Sequence, residues 1–336
     1  MTRARLQLSV FVALHCAILC AEFLAPYDPT AQNREFSFAP PTKVHWRDET
    51  GRLHARPFVY AAKANAEGSK YAEDGAIRYP IRFLYSAKPA HTVNGRFHLF
   101  GVESPAHIFL LGTDEFGRDV FSRLLYGGRV SIAAGLLATL ISLLVGTALG
   151  AIAGMAGGAT DGFIMRLTEL GLALSWFYLL LGIRAFLPLR TPPLQTLFLI
   201  AGVLGLTAWA RPARLVRGMV LTAKERGFVM CARGFGASEF YIFRRHLLPQ
   251  LLALLLTQAI ILIPQFIMAE VTLSFLGLGA SEPLASWGNM LADLQQYRVL
   301  ISYWWMATPI LALVLFSWSY FAIMNILRTR VQFVAV

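Results

Sequence analysis

Residues 222–249 read TAKERGFVMCARGFGASEFYIFRRHLLP, a polar and basic island between two long apolar runs. Ala223 to Arg233 lacks strand alternation and ends at Gly234-Phe235-Gly236, where a glycine can take the left-handed conformation that closes a helix. Ser238 stands where an N-cap is wanted and Glu239 falls in the turn that follows, so a second helix is expected to run from there into Pro249. Phe235 is then held between two glycines at the joint, with little of its own chain to pack against. On residue pattern alone two placements fit: a partner's groove, or an amphipathic connector lying on the bilayer.

What flanks the island sets the fold class. The 336 residues are 56% hydrophobic and 15% charged, with a mean hydropathy of +0.55, too apolar and too poor in charge for a soluble domain. A helix crossing the hydrocarbon needs about 20 apolar residues, at ~1.5 Å rise over roughly 30 Å. Six stretches qualify: 6–25, 130–155, 164–187, 194–210, 251–279, and one that begins with Tyr303-Trp304-Trp305 and ends before Arg328 and Arg330. The expectation is an all-α polytopic membrane protein of six spans. The net charge of +11 is not gathered into a soluble basic domain. Eight basic residues (Arg211, Arg214, Arg217, Lys224, Arg226, Arg233, Arg244 and Arg245) face only Glu225 and Glu239 over 211–245, which places that loop on the cytoplasmic side. Anionic lipid accounts for such a loop at about 1 kcal/mol per basic residue, so membrane lipid is an expected partner and nucleic acid is not. Cys16 and Cys20 lie in an apolar run and Cys231 in the loop, a pattern that implies no disulfide framework.

The chain divides into 1–25, an N-terminal span preceded by Arg3 and Arg5; 26–112, a hydrophilic lobe outside the membrane; 113–129, an interfacial helix; 130–327, a five-helix core with its loop at 216–247; and 328–336, a cytoplasmic tail. A cleaved signal peptide would suit the first segment equally by length and charge. A connection as long as the second is rarely structureless, so a small folded lobe is expected. Residues 77–85 alternate as a half-buried strand made an edge by Pro80, with weaker strands at 58–60 and 98–100. His91, His98 and His107 lack close ligand spacing and read as scattered surface histidines. Thr113 is the expected N-cap of the interfacial helix, with Glu115–Arg118 and Asp119–Arg123 ion pairs on its polar face and Phe116, Val120, Phe121, Leu124 and Leu125 on the other. Arg166 and Glu169 can pair near the inner end of the third span, and Pro264 can kink the fifth. Glu270, a charge within that span, is expected near the outer mouth, snorkelling or facing an aqueous cavity.

Two motifs carry a resemblance to a family. The island resembles the cytoplasmic coupling loop of ABC importer permeases, whose pattern is Glu-Ala-Ala, three residues, Gly, nine residues, then x-x-Leu-Pro; Ala232, Gly236, Leu248 and Pro249 fit it, while Met230 and Cys231 depart from it. LGTDEFGRDVFSRLLYGGRVS, residues 111–131, resembles the signature before the second membrane helix of oligopeptide/dipeptide-type permeases, through Gly112, Thr113, Asp114, Gly117, Arg118, Asp119, Ser122 and Arg123. The segments Ala25-Pro26-Tyr27-Asp28-Pro29, Leu273 to Gly279 and Ser286-Trp287-Gly288 are similar to the same family.

The resemblance implies a subunit of a bacterial inner-membrane importer, both termini cytoplasmic, paired with a homologous second permease, two ATPase subunits and an external solute-binding protein. It also implies roles in the loop: Ala232 and Gly236 for close docking, Phe235 for insertion, Glu225 and Arg233 for polar contacts. The chain has no GxxxxGK[ST] loop, so ATP and magnesium are expected on the partner ATPases and no cofactor on this chain; HExxH and GxSxG are absent too. A stand-alone ion-coupled transporter is the competing reading, disfavoured because intramembrane acids are few and asymmetrically placed. The long outer lobe resembles family variants linked to larger peptides or peptide-like compounds, while nickel and opine importers share the same core.

Overall fold

The computed structural model describes residues 2–48, 50–64, 71–86, 97–175, 177–179, 181–182 and 192–334. By packing, the chain divides into two units. One comprises Met1–Gln7, Ile132–Leu273 and Ser317–Val336; the other comprises Leu8–Ser131 and Ser274–Phe316.

Helix α1 (Thr2–Leu19) is followed by five strands: β1 (His45–Arg47), β2 (Leu53–Ala64), β3 (Tyr71–Pro80), β4 (Arg82–Ser86) and β5 (Phe97–Gly101). They form an antiparallel sheet in the order β1-β2-β3 and a separate β4-β5 pair. The single strand expected over 77–85 is broken at Ile81, which is buried with Val59, Val102, Ala106 and Ile108, while Pro80 ends β3 at the sheet edge. Two histidine expectations can be compared with this lobe. His98 is not on the surface: it is 3% exposed, and its Nδ1 lies 2.7 Å from the Ala25 carbonyl. His107 is half-buried, and His91 lies outside the described residues.

Helix α2 (Val120–Ala156) has 37 residues, so at ~1.5 Å each it is about 55 Å long against a hydrocarbon core of roughly 30 Å. It merges the second half of the expected interfacial helix with the second span. No helix begins at Thr113, because Gly112 and Gly117 hold φ of +69° and +71°. A Cβ on Gly117 would sit 1.7 Å from the Asn33 carbonyl. Asp119 is the residue that caps α2, its Oδ2 accepting from the Ser122 N–H at 2.8 Å and from the Ser122 hydroxyl at 2.6 Å.

Next come α3 (Gly158–Ala173), α4 (Pro193–Ala208) and α5 (Ala210–Lys224). Only Gly157, at φ +66°, separates α2 from α3 where an eight-residue turn was expected. The expected end of the third span at 183–187 lies outside the described residues. Later in the chain are α6 (Gly227–Gly234), α7 (Glu239–Ile242), a π turn over Phe243–Leu247, α8 (Leu248–Phe275), α9 (Trp287–Ala292), α10 (Tyr297–Ser302) and α11 (Thr308–Val334). Helix α8 passes unbroken through Pro264 and ends four residues before the expected Gly279. Helix α11 carries the expected tail onward as helix to Val334. Among the described residues, three helices are long and apolar enough to cross a membrane, and four if α4 and α5, bent by 42°, form one broken span.

The long helices of the first unit meet through glycine. Gly146, Gly150 and Gly154 recur every fourth residue along α2. A Cβ added there would lie 2.7 Å from Pro212 Cβ, 2.4 Å from the Ala213 carbonyl oxygen and 2.7 Å from Val220, all on α5. Between membrane helices the lipid offers no hydrophobic drive, so backbone-to-backbone approach of this kind supplies the packing. Ion pairs flank the contact. Arg217 holds Asp161 through two of its nitrogens, Nε and Nη2, and Arg214 reaches the Thr168 hydroxyl at 2.8 Å and Glu169 at 3.6 Å. Glu169 is thus paired across helices with Arg214, where pairing with Arg166 was expected.

Candidate functional site

In the first unit, α5 ends at Lys224, whose ammonium donates to the Met155 carbonyl at 2.8 Å and so caps α2. Glu225 is the exposed C-cap of α5. Arg226 turns the chain into α6, which closes at Gly236. There the Gly236 N–H donates to the Arg233 carbonyl and the Ala237 N–H to the Ala232 carbonyl, each at 3.0 Å, with Gly236 at φ +80°. This 5→2 and 6→1 pair is a Schellman closure, which requires a left-handed residue at position 236. Ser238 then caps α7 by accepting from the Tyr241 N–H, and Arg233 pairs with Glu239 at 2.7 Å across the joint.

The knuckle stands on a firm base. Val216, Val220, Ala223, Val229, Ile242, Leu247 and Leu251 form one buried cluster with Ala151, and Ala232 and Ala237 pack against it. Phe235, by contrast, is 92% exposed, and Phe228, Met230, Phe240 and Tyr241 are exposed nearby in sequence. An apolar group of this size kept in the open by a well-anchored turn has the form of a docking surface. The second helix does not stop at Pro249. Helix α7, the π turn and α8 run on as Glu239–Phe275. Pro249 has no N–H to give the carbonyl four residues back and its ring crowds that group, and the wider turn just before it relieves both. Leu248 is half-buried and Pro249 exposed. Glu270, on the same helix, is 0% exposed, so within this chain it neither snorkels nor faces an open cavity.

In the second unit, residues 112–123 build a buried ion-pair cluster instead of a helical face. Arg118 donates to Asp114 at 2.7 Å and to Glu282 at 2.5 Å; Arg123 donates to Glu282 at 2.8 Å and lies 3.6 Å from Asp114. Both arginine side chains are at most 3% exposed, while Glu282 is 44% exposed. Neither Glu115–Arg118 nor Asp119–Arg123 is among the ion pairs formed by the described residues. Burial pushes Glu282 up, yet Arg123 and Arg118 together bring it below the ordinary carboxylate range. Burial, with the Asp114 charge second, raises Asp293 to about 6, and burial raises Asp119 to about 7. Thr113 accepts from the Ala39 N–H at 2.7 Å and donates to the Phe36 carbonyl; the buried Trp305 indole donates to the Thr113 carbonyl at 3.0 Å. Gly112 leaves room for that ring, since a Cβ there would meet it at 2.9 Å. Ser286 and Asn289 form a capping box on α9, which aims the buried Trp287 at the Leu124 carbonyl, 2.9 Å away.

Sequence reasoning missed Glu282 and Asp293. Glu282 stands 164 residues from Arg118, and no periodicity connects them. The glycine stripe at 146, 150 and 154 was legible, being a small-residue repeat inside an apolar run. The described residues contain no group of three or more His, Cys, Asp or Glu side chains placed to hold a metal ion.

A family model described as binding-protein-dependent transport system inner membrane component matches residues 146–333, more than half of the chain, and the chain belongs to that family. Over 194 residues it is 41% identical to the dipeptide transport system permease protein DppC of Bacillus subtilis, covering 58% of this chain and 58% of that protein. It is 37% identical over 212 residues to the probable D,D-dipeptide transport system permease protein DdpC of Escherichia coli, covering 63% of this chain and 68% of that one. The chain therefore spans less than two thirds of the Bacillus relative. Among solved structures, an inward-facing form of the MetNI methionine ABC transporter is similar at 20% identity and a TM-score of 0.46, over 61% of this chain and 95% of the matched chain. The knuckle lies inside the family match, and the 112–123 cluster precedes it.

Proposed function

We propose that this chain is one of two permease subunits of an ATP-driven importer for peptides or peptide-like solutes in the bacterial inner membrane. Phe235, 92% exposed on a Schellman turn rooted in a buried cluster, is the observation that carries the reading. It lies within the stretch that matches the family, and its relatives' names speak of dipeptide transport. In this reading the bundle makes six crossings, with α1, α2, α3, α4 together with α5, α8 and α11 each contributing to one. Both termini are cytoplasmic and the lobe at 26–112 faces outward, towards the solute-binding protein.

The chain itself performs no hydrolysis; ATP and magnesium belong to two partner ATPases. Phe235 inserts into a cleft of one ATPase, Ala232 and Gly236 let the backbone come close, and Glu225 and Arg233 line the rim. Closure of the ATPases then moves the turn, and the move passes through the Val216–Leu251 cluster into α5 and α8. The bundle has two states, and nucleotide binding shifts their populations only by its differential affinity for them. Purification from the native host in mild detergent tests this: an ATPase and a second permease should accompany the chain, and the complex in vesicles should import peptide only with ATP. Recovery of the chain alone, with uptake driven by an ion gradient, would refute it.

A further inference from the structure

Arginine is costly inside a bilayer and, where it occurs there, faces a partner or an aqueous cavity. Helix α5 carries three arginines near its start. Arg214 and Arg217 are satisfied by Thr168, Glu169 and Asp161. Arg211, among the described residues, has neither a hydrogen bond nor an ion pair. Its neighbours, the Trp209 carbonyl and Pro212, lie against Gly146 of α2, while the Arg211 side chain itself is exposed.

Arg211 borders a cavity of about 240 Å3 walled by Leu204, Leu262 and Phe266, with Thr207 and Gln265 as its other polar side chains. The Thr207 hydroxyl donates to the Val203 carbonyl at 2.9 Å and retains acceptor capacity. Gln265 is exposed, and its amide has no partner among the described residues. One cation, one free amide and an apolar wall suit an anion on a short organic body. Whole-ligand pockets run from about 300 to 1,000 Å3, so this space fits one end of a peptide. We infer that Arg211, with Gln265, binds the C-terminal carboxylate of a peptide passing through the permease, and that Leu262 and Phe266 receive its last side chain. A planar guanidinium offers two parallel charge-assisted hydrogen bonds to a carboxylate, which a lysine does not match.

This rests on the permease reading, and the test separates the two. The assembled transporter with its ATPases, in phosphatidylcholine nanodiscs, is exposed to a benzophenone-bearing alanine tripeptide as the free acid or as the C-terminal amide. The free acid should photolabel residues 262–269 or Thr207; Arg211→Gln should lower that labelling at least tenfold, Arg211→Lys should keep part of it, and the amide should label the wild type as weakly as the acid labels Arg211→Gln. Equal labelling by acid and amide, or undiminished labelling of Arg211→Gln, overturns the inference. So does loss of the second permease from Arg211→Gln on purification, which would make Arg211 an intersubunit bridge. Suppression of labelling by phosphatidylglycerol with no dependence on the probe's carboxylate would make the cavity a lipid-headgroup site and overturns it too. Parallel uptake in vesicles isolates the functional reading: ATP-driven import of the probe without labelling of the cavity refutes only the carboxylate site, whereas no import of any peptide by the wild-type complex refutes the permease assignment.

Discussion

Replacing Gly150 by leucine tests how the knuckle is connected to the bundle. A Cβ at 150 would lie 2.4 Å from the Ala213 carbonyl oxygen and 3.0 Å from its carbonyl carbon and Cα. All three are backbone atoms, so no rotamer relieves the clash, and α2 and α5 must separate by nearly 1 Å to restore ordinary contact. Overpacking of this kind costs about 1–3 kcal/mol for small additions, and the rest of the leucine adds to it. Better helix propensity returns no more than about 1 kcal/mol. The net loss of about 2 kcal/mol or more corresponds to a melting temperature lower by roughly 3 °C or more for a chain of 336 residues. Gly162→Ala is the control: that glycine, in α3, has nothing within 4 Å of an added Cβ, so the same propensity gain should leave stability unchanged or slightly higher. Melting of the detergent-solubilised protein, followed by size-exclusion fluorescence, reads the stability, and peptide-stimulated ATP hydrolysis of the complex reads coupling. Since α5 carries the base of the knuckle, coupling should fall together with stability. A Gly150→Leu variant that melts within 1 °C of wild type and couples normally would show that the two helices do not approach through this glycine.

Glu282→Gln leaves the buried Arg118 and Arg123 with Asp114 alone, and should cost about 3 kcal/mol of thermal stability. Adding Arg123→Gln should cost less than the sum of the single changes, and strict additivity would show the pair to be uncoupled. Asp293→Asn should be pH-dependent. Its carboxyl is raised to about 6, so the stabilisation gained by protonation is complete below the ordinary value near 4 and is lost as pH rises through 6. Two units at about 1.4 kcal/mol each is roughly 3 kcal/mol, reduced to about 1–2 by its partial exposure. The asparagine variant should therefore melt higher than wild type at pH 8 and by a smaller margin at pH 4.5; the same shift at both values would be contrary to a buried charge there.

Local signals gave the spans, the knuckle and the strands their outlines, because hydrophobic runs, glycine closure and N-cap chemistry act over a few residues. Gly236 and Ser238 behave in the structure as their neighbours in sequence require. The failures share one cause, which is pairing over long separations. Asp119 displaces Thr113 as the cap of α2 because Asn33 and Trp305, from distant parts of the chain, fix the two glycine turns before it. Arg118 and Arg123 turn inward to Glu282, and Glu169 turns to Arg214, where nearest-neighbour spacing offered Glu115, Asp119 and Arg166 in turn. Pro249 reads as a stop only if the preceding turn is α-helical, and a π turn removes the conflict.

Cysteine substitution at position 235, in a chain whose Cys16, Cys20 and Cys231 have been replaced, gives the most direct measurement of whether force enters at this turn. A membrane-impermeant maleimide should label Phe235→Cys in inverted vesicles and not in right-side-out ones, and bound ATPase should protect it. Labelling from the outer face, or labelling that the ATPase leaves unchanged, would contradict entry of the force at the glycine-closed turn.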